Sequence, residues 1–190
     1  MADQKISAMP SASTLTGAEL IPLVQGGVNV QTTVTSIADY TTATNLGFGE
    51  IYVASASTAQ TTSGTANTYT TVTAFTTNGS ASATGVIPVA TSDKITLVNA
   101  GTYQIMFNAS FTASNNHTFL FRCFNSTAGT AFVNTVTKNH TNSTNPHQVG
   151  FNALVTVPAN QDIVVQVAST DISQPFTITD GNFMAIQLGD

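Results

Sequence analysis

Tryptophan is missing from this 190-residue chain and cysteine occurs once. A lone Cys123 excludes an internal disulfide and a cysteine metal cluster, and its place in the run Phe119-Leu120-Phe121-Arg122-Cys123-Phe124 is that of a small buried side chain. Charge is almost as scarce. Only 7% of residues are Asp, Glu, Lys or Arg, and the four cations, Lys5, Lys94, Arg122 and Lys138, stand far apart in the sequence against nine acids. Nucleic-acid binders concentrate Lys and Arg on one face, so no nucleic-acid partner is expected. No apolar run approaches the ~20 residues that span a bilayer, so no membrane partner is expected either. Met1-Ala2-Asp3-Gln4-Lys5 leads into mixed polar residues rather than the apolar stretch of a secretory leader, which makes an intracellular origin the expectation.

What the chain has instead is hydroxyl and amide: 34 Thr, 16 Ser and 16 Asn. Thr favours strands, and Ser and Asn favour turns, so the polar composition itself points to an all-β protein. The organising stretch is Lys94 to Phe111, two alternating runs joined at Asn99-Ala100-Gly101. From Tyr103 to Phe111 every odd position is apolar or aromatic, the period-two pattern of a strand with one buried face. The pattern returns in Thr118 to Phe124, Gly150 to Val157 and Asp162 to Ala168. Tyr103, Ile105, Phe107, Phe151, Val155, Val165 and Val167 are the expected core.

Taken in order, the chain opens on small polar residues and then gives two extended runs around Gly26-Gly27. Leu20 to Gln25 and Val28 to Val34 predict a hairpin, with Pro22 restricting the first run to an edge. Ser36 to Tyr40 reads as one helical turn, and 41–49 as a small-residue linker. Further strands are expected at Ile51 to Val53, Tyr69 to Phe75, Val86 to Ala90, Ala131 to Val136, Phe176 to Thr179 and Phe183 to Leu188. Loops are expected at 55–67 and 138–147. The reading is a domain at 50–190 built as a sandwich or jelly roll, preceded by an arm at 1–40.

A two-stranded hairpin is marginal alone, so the arm's Leu20, Ile21, Leu23, Val24, Val28, Val30 and Val34 need a surface to cover. The order Lys5-Ile6-Ser7-Ala8-Met9-Pro10, then Leu15-Thr16-Gly17-Ala18-Glu19-Leu20-Ile21-Pro22-Leu23-Val24-Gln25-Gly26-Gly27-Val28, then Thr32-Thr33-Val34 resembles a short N-terminal module of tailed-phage structural proteins. The resemblance implies a virion component docked through those seven apolar residues on the major capsid protein or another virion protein. It also implies a place on the virion surface after assembly in the host cytoplasm.

The second part resembles the C1q and tumour-necrosis-factor-like jelly roll. Gly101-Thr102-Tyr103-Gln104-Ile105-Met106-Phe107 looks like that family's glycine-x-tyrosine-x-apolar-x-phenylalanine strand. Val157 to Val167 and Asn182 to Leu188 look like its valine-rich and closing strands. That resemblance implies a compact homotrimer. In the closing strand Met184, Ile186 and Leu188 alternate with the inward set, and Met106 and Leu154 are apolar where polar residues are expected; these five are the candidate trimer interface.

No catalytic, cofactor or metal site is expected. Asp93, Asp162, Asp171 and Asp180 fall at predicted turns, where Asp serves the local backbone. His117, His140 and His147 lack zinc-ligand spacing. Asn108, Asn116, Asn125, Asn139 and Asn142 each precede a Ser or Thr by two residues, which this composition produces by chance. The function expected is that of a non-enzymatic head decoration, or cement, protein. The alternative is a short tail-fibre or receptor-binding tip that recognises a host glycan through Tyr52, Tyr69, His140 and the loop 139–147; the linker at 41–49 is too short for a fibre shaft.

Overall fold

The computed structural model describes residues 18, 20–25, 28–33, 46–55, 59–82, 84–114, 116–141 and 146–189. The chain divides into two compact units, Met1–Asn45 and Leu46–Asp190. In the first, β1 (Leu20–Gln25) and β2 (Val28–Thr33) form the expected antiparallel hairpin, with Leu23 opposite Val30 and Gln25 opposite Val28. Both strands of a two-stranded sheet are edges, which accommodates Pro22 opposite Gln31. Gly26-Gly27, Val34, the helical turn expected at 36–40 and residues 41–45 of the expected linker lie outside the described residues.

The second unit is a sandwich of two antiparallel sheets. The six-stranded sheet runs β13 (His147–Val157), β9 (Gly101–Ala113), β15 (Pro175–Gly189), β3 (Phe48–Val53), β6 (Thr77–Ala81), with β4 (Gln60–Thr61) beside the start of β15. The seven-stranded sheet runs β11 (Thr130–Ala131), β10 (Thr118–Asn125), β14 (Gln161–Ser169), β8 (Lys94–Leu97), β7 (Val86–Val89), with β12 (Thr137–His140) also on β10 and β5 (Thr70–Thr71) also on β14. The connections β8 to β9, β9 to β10, β12 to β13, β13 to β14 and β14 to β15 each cross from one sheet to the other. Sheet neighbours are therefore not sequence neighbours, and the crossings wrap the strands into a jelly roll.

Alternation decides which side chains meet between the sheets. Along β10, Phe119, Phe121, Cys123 and Asn125 are buried while the residues between them are partly exposed. Phe107 and Phe111 on β9 meet Phe121 across the sandwich at ring-centroid distances of 6.0 and 5.3 Å, and Phe119 meets Phe176 at 6.0 Å. The seven residues expected as core are all buried.

Several elements differ from the sequence reading. β3 starts at Phe48, inside the expected linker 41–49 and ahead of the expected domain start at 50. Of the strand expected at 69–75 only Thr70–Thr71 pairs, while Val72, Ala74 and Phe75 run on as buried chain; Val72 keeps one backbone bond, N–H to Val165 O at 2.9 Å. Ala131 to Val136 gives a 3-10 turn at Val133–Thr135, fixed by the Thr135 hydroxyl, which donates to Phe132 O at 2.7 Å. Thr137–His140, which takes in the first three residues of the loop expected at 138–147, is a strand because β10 supplies its partners. β15 is one strand rather than two. Asp180-Gly181 reads as a turn, but Gly181 sits at φ +157, where a Cβ would lie 2.7 Å from Asn108 O, and the strand passes through in register with Ala109 and Val53, with a bulge just ahead between Ile178 and Asp180. Among the described residues no helix is long and apolar enough to cross a membrane.

Candidate functional site

The register assembles a surface on the outer face of the six-stranded sheet. One cross-strand row reads Leu154, Gln104, Ile186, Phe48; the next reads Asn152, Met106, Met184, Glu50; the third reads Gly150, Asn108, Asn182, Tyr52. Leu188 follows Ile186 on the same face. Met106, Leu154, Met184, Ile186 and Leu188, expected from sequence as an interface, thus come together on one face at one end of the sheet. Leu154, Leu188 and Phe48 are 58%, 45% and 41% exposed, so nothing within the unit covers them. Two polar pairs on this face satisfy each other. Gln104 Nε2 donates to Asn152 Oδ1 at 3.1 Å, and the Thr102 and Thr156 hydroxyls lie 3.1 Å apart.

Phe48 also belongs to this face, although its place in the expected linker 41–49 leaves it out of the expected interface. The signal was present, since the alternation through Tyr52 and Glu50 extends back to Phe48. At the free edge of β13, Asn134 Nδ2 donates to Leu154 O at 3.0 Å and Asn139 Nδ2 donates to Gln148 O at 2.8 Å. These amides close the edge against further strand pairing. The exposed Val133 and Val136 on the adjoining turn extend the apolar surface around that edge.

Of the arm residues expected to dock, Leu20 and Val28 are 61% and 63% exposed and Ile21 is half-buried. Leu23, Val24 and Val30 occupy paired strand positions.

Asp93 and Asp171 fall at turns as expected, and Asp162 and Asp180 do not. Asp162 is inside β14 rather than at a turn. Burial pushes its carboxyl up, but the Lys94 ammonium at 2.7 Å and the Thr96 hydroxyl at 2.6 Å outweigh that and hold it below its ordinary value. Asp180 sits at the β15 bulge. Asp93 has φ 52, and burial raises its carboxyl against the Phe75 N–H that it accepts at 3.0 Å. His117 Nδ1 lies 2.9 Å from Asp171 Oδ2, His140 Nδ1 lies 3.0 Å from the Thr118 hydroxyl, and the His147 ring packs at 5.6 Å from Phe111. Burial pushes the Cys123 thiol far up, so no reactive thiolate forms there. Among the described residues no three His, Cys, Asp or Glu side chains gather to hold a metal ion. Asn125 is buried with its amide donating to Gln161 Oε1, which excludes it as a glycan acceptor.

No family model and no curated protein matches this sequence. Solved structures do match in shape. The Eiger TNF of S. frugiperda is 9% identical, with a TM-score of 0.54 over 76% of this chain and 94% of that one. The globular domain of zebrafish complement 1qA is 11% identical, with a TM-score of 0.50 over 76% and 98%. Murine APRIL is 9% identical, with a TM-score of 0.52 over 76% and 100%. At such identities the likeness is one of fold, and it defines the class: an all-β jelly roll of the C1q/TNF type.

Proposed function

We propose that this chain is a non-enzymatic structural protein of a tailed-phage virion, a head decoration protein that trimerises through the outer face of its six-stranded sheet and docks through its N-terminal hairpin. The observation that carries the proposal is the gathering of Met106, Leu154, Met184, Ile186 and Leu188, with Phe48, on one uncovered face. A cyclic trimer needs two different complementary patches on each copy. Leu154, Val133 and Val136 at the β13 edge form one, and Phe48, Ile186 and Leu188 form the other. Covering the exposed parts of these side chains contributes roughly 5–9 kcal/mol per junction, set against association costs of similar size.

The mechanism is mechanical. Each trimer carries three hairpins, and engagement of one raises the effective concentration of the others at neighbouring sites on the particle. The C1q/TNF-type fold supports the trimer, and the order of residues in the arm supports the particle as partner. Light scattering should return three times 19.7 kDa; a stable monomer at micromolar concentration would sink the trimer. Removing residues 1–40 should leave a folded trimer that no longer joins particles lacking the native protein, read as occupancy after sedimentation. Full occupancy by the truncated form would overturn the docking role.

A further inference from the structure

Lys94, Arg122 and Lys138, scattered in sequence, all stand on the outer face of the seven-stranded sheet. Lys94 alternates with the buried Ile95, Arg122 alternates with the buried Phe121 and Cys123, and Lys138 is registered opposite the outward Leu120. They are the only cations of the Leu46–Asp190 unit. Lys94 is neutralised by Asp162.

Arg122 is held differently. Its Cζ lies 3.7 Å over the Tyr69 ring and 5.3 Å from the centre of Phe124. Its Nε and Nη2 both donate to Gln166 Oε1, at 3.0 and 2.8 Å. Among the described residues the acids in contact with a basic side chain are Asp162, on Lys94, and Asp171, on His117, so this guanidinium has only neutral partners in a chain of net charge −5. Two of its five N–H groups are used. The edge carrying Nη1 and the second Nη2 hydrogen is left as a flat fork, the shape that takes a carboxylate through two parallel bonds. Lys138 is its diagonal neighbour across the strands, about 7–8 Å away.

The geometry points to a binding site for an acidic oligosaccharide on this face: Arg122 takes a carboxylate, Lys138 takes a second negative charge, and Phe124, Gln166 and Thr71 meet the sugar. A saccharide suits the face better than an acidic peptide because the side chains around Arg122 are mainly hydroxyl, amide and aromatic, with Leu120 partly buried beside them. Val164 and Ala168, the small apolar groups at outward positions, are already buried and offer no exposed surface to a peptide's apolar anchors. The site does not depend on the trimer or on the particle.

The test titrates trigalacturonate, the neutral maltotriose and penta-glutamate against the full chain, followed by nuclear magnetic resonance shifts. Trigalacturonate should bind at least about tenfold more tightly than either other probe and should move the Arg122, Phe124 and Gln166 signals. Arg122→Gln should weaken it by about tenfold, and Arg122→Lys should fail to restore it because an ammonium lacks the fork. Lys138→Gln should weaken it about two- to threefold and reduce its salt dependence. Circular dichroism keeps folding separate from binding. No binding of trigalacturonate at ~10 mM, full affinity in folded Arg122→Lys, or penta-glutamate binding as tightly would each overturn the site.

Discussion

The two sheets present opposite surfaces to their surroundings. On the seven-stranded sheet, Val164 opposite Phe124 and Ala168 opposite Leu120 fall at outward positions, yet both are buried because larger neighbours close over them. On the six-stranded sheet, Leu154, Phe48 and Leu188 stay open. Both sheets obey the same alternation, so the difference lies in side-chain length and pairing. Tyr69 and Gln166 close around Arg122 from within the unit and leave Ile87 open on the edge strand β7, whereas Leu154, Leu188 and Phe48 stay open around Met106, Met184 and Ile186. A mainly polar face suits water or a polar ligand, and a clustered apolar one suits another copy.

The contrast is broken most severely at the layer both sheets share. Phe107→Ala removes a ring that meets Phe121 and Phe151 and should cost about 3–5 kcal/mol, seen as a fall in denaturation midpoint. An unchanged midpoint would mean that the inward face is misassigned.

Next in size is a charge on the open face. Ile186→Asp should leave circular dichroism intact and shift the mass to that of a monomer, because a junction cannot bury an unpaired carboxylate. The matched change Thr71→Asp on the closed face should leave the mass alone. Equal behaviour of the two variants would erase the distinction between the faces.

Smaller effects separate the acids. Asp162 is held below its ordinary value of 3.8, so its stabilisation is present above that value and is lost as the pH falls through the folded one. Lys94→Gln should flatten the loss of stability below about pH 4, and an unaltered acid limb in urea titrations would show that the pair contributes nothing. Asp93 has the opposite sign. Its folded value lies above 3.8, so at neutral pH its charge opposes folding. Asp93→Asn keeps the acceptor for Phe75 N–H and suits φ 52, and it should raise stability at pH 7 by less than ~1 kcal/mol, with the gain vanishing towards pH 4.

The fold was legible where a strand is amphipathic. β9 and β10 announce themselves by alternation, the hairpin by Gly26-Gly27, and the open face by Met184, Ile186 and Leu188 standing where polar residues would. What stayed hidden depended on partners distant in sequence. Thr137–His140 has no apolar period and becomes a strand through β10, while Asp180-Gly181 has turn chemistry and continues as strand because β9 lies beside it. The gathering of Lys94, Arg122 and Lys138 follows from the registers of β8, β10, β12 and β14, which no local pattern encodes. Phe48 is different: its alternation was readable, and the adjacent glycines obscured it.

The crossing of each late connection from sheet to sheet also sets a timetable for folding. The hairpin closes through contacts a few residues apart and can form within about 1–10 μs, before the rest of the chain has found a partner. Neither sheet of the jelly roll has that freedom. β9 must find β15, some seventy residues on, and β14 must find β10 and β8 while the strands between them settle on the opposite side. Such non-local pairing is slow, on the order of milliseconds to seconds, and neither layer can finish without the other. Until they close together, the Phe-rich inner surfaces stay wet and open to other chains.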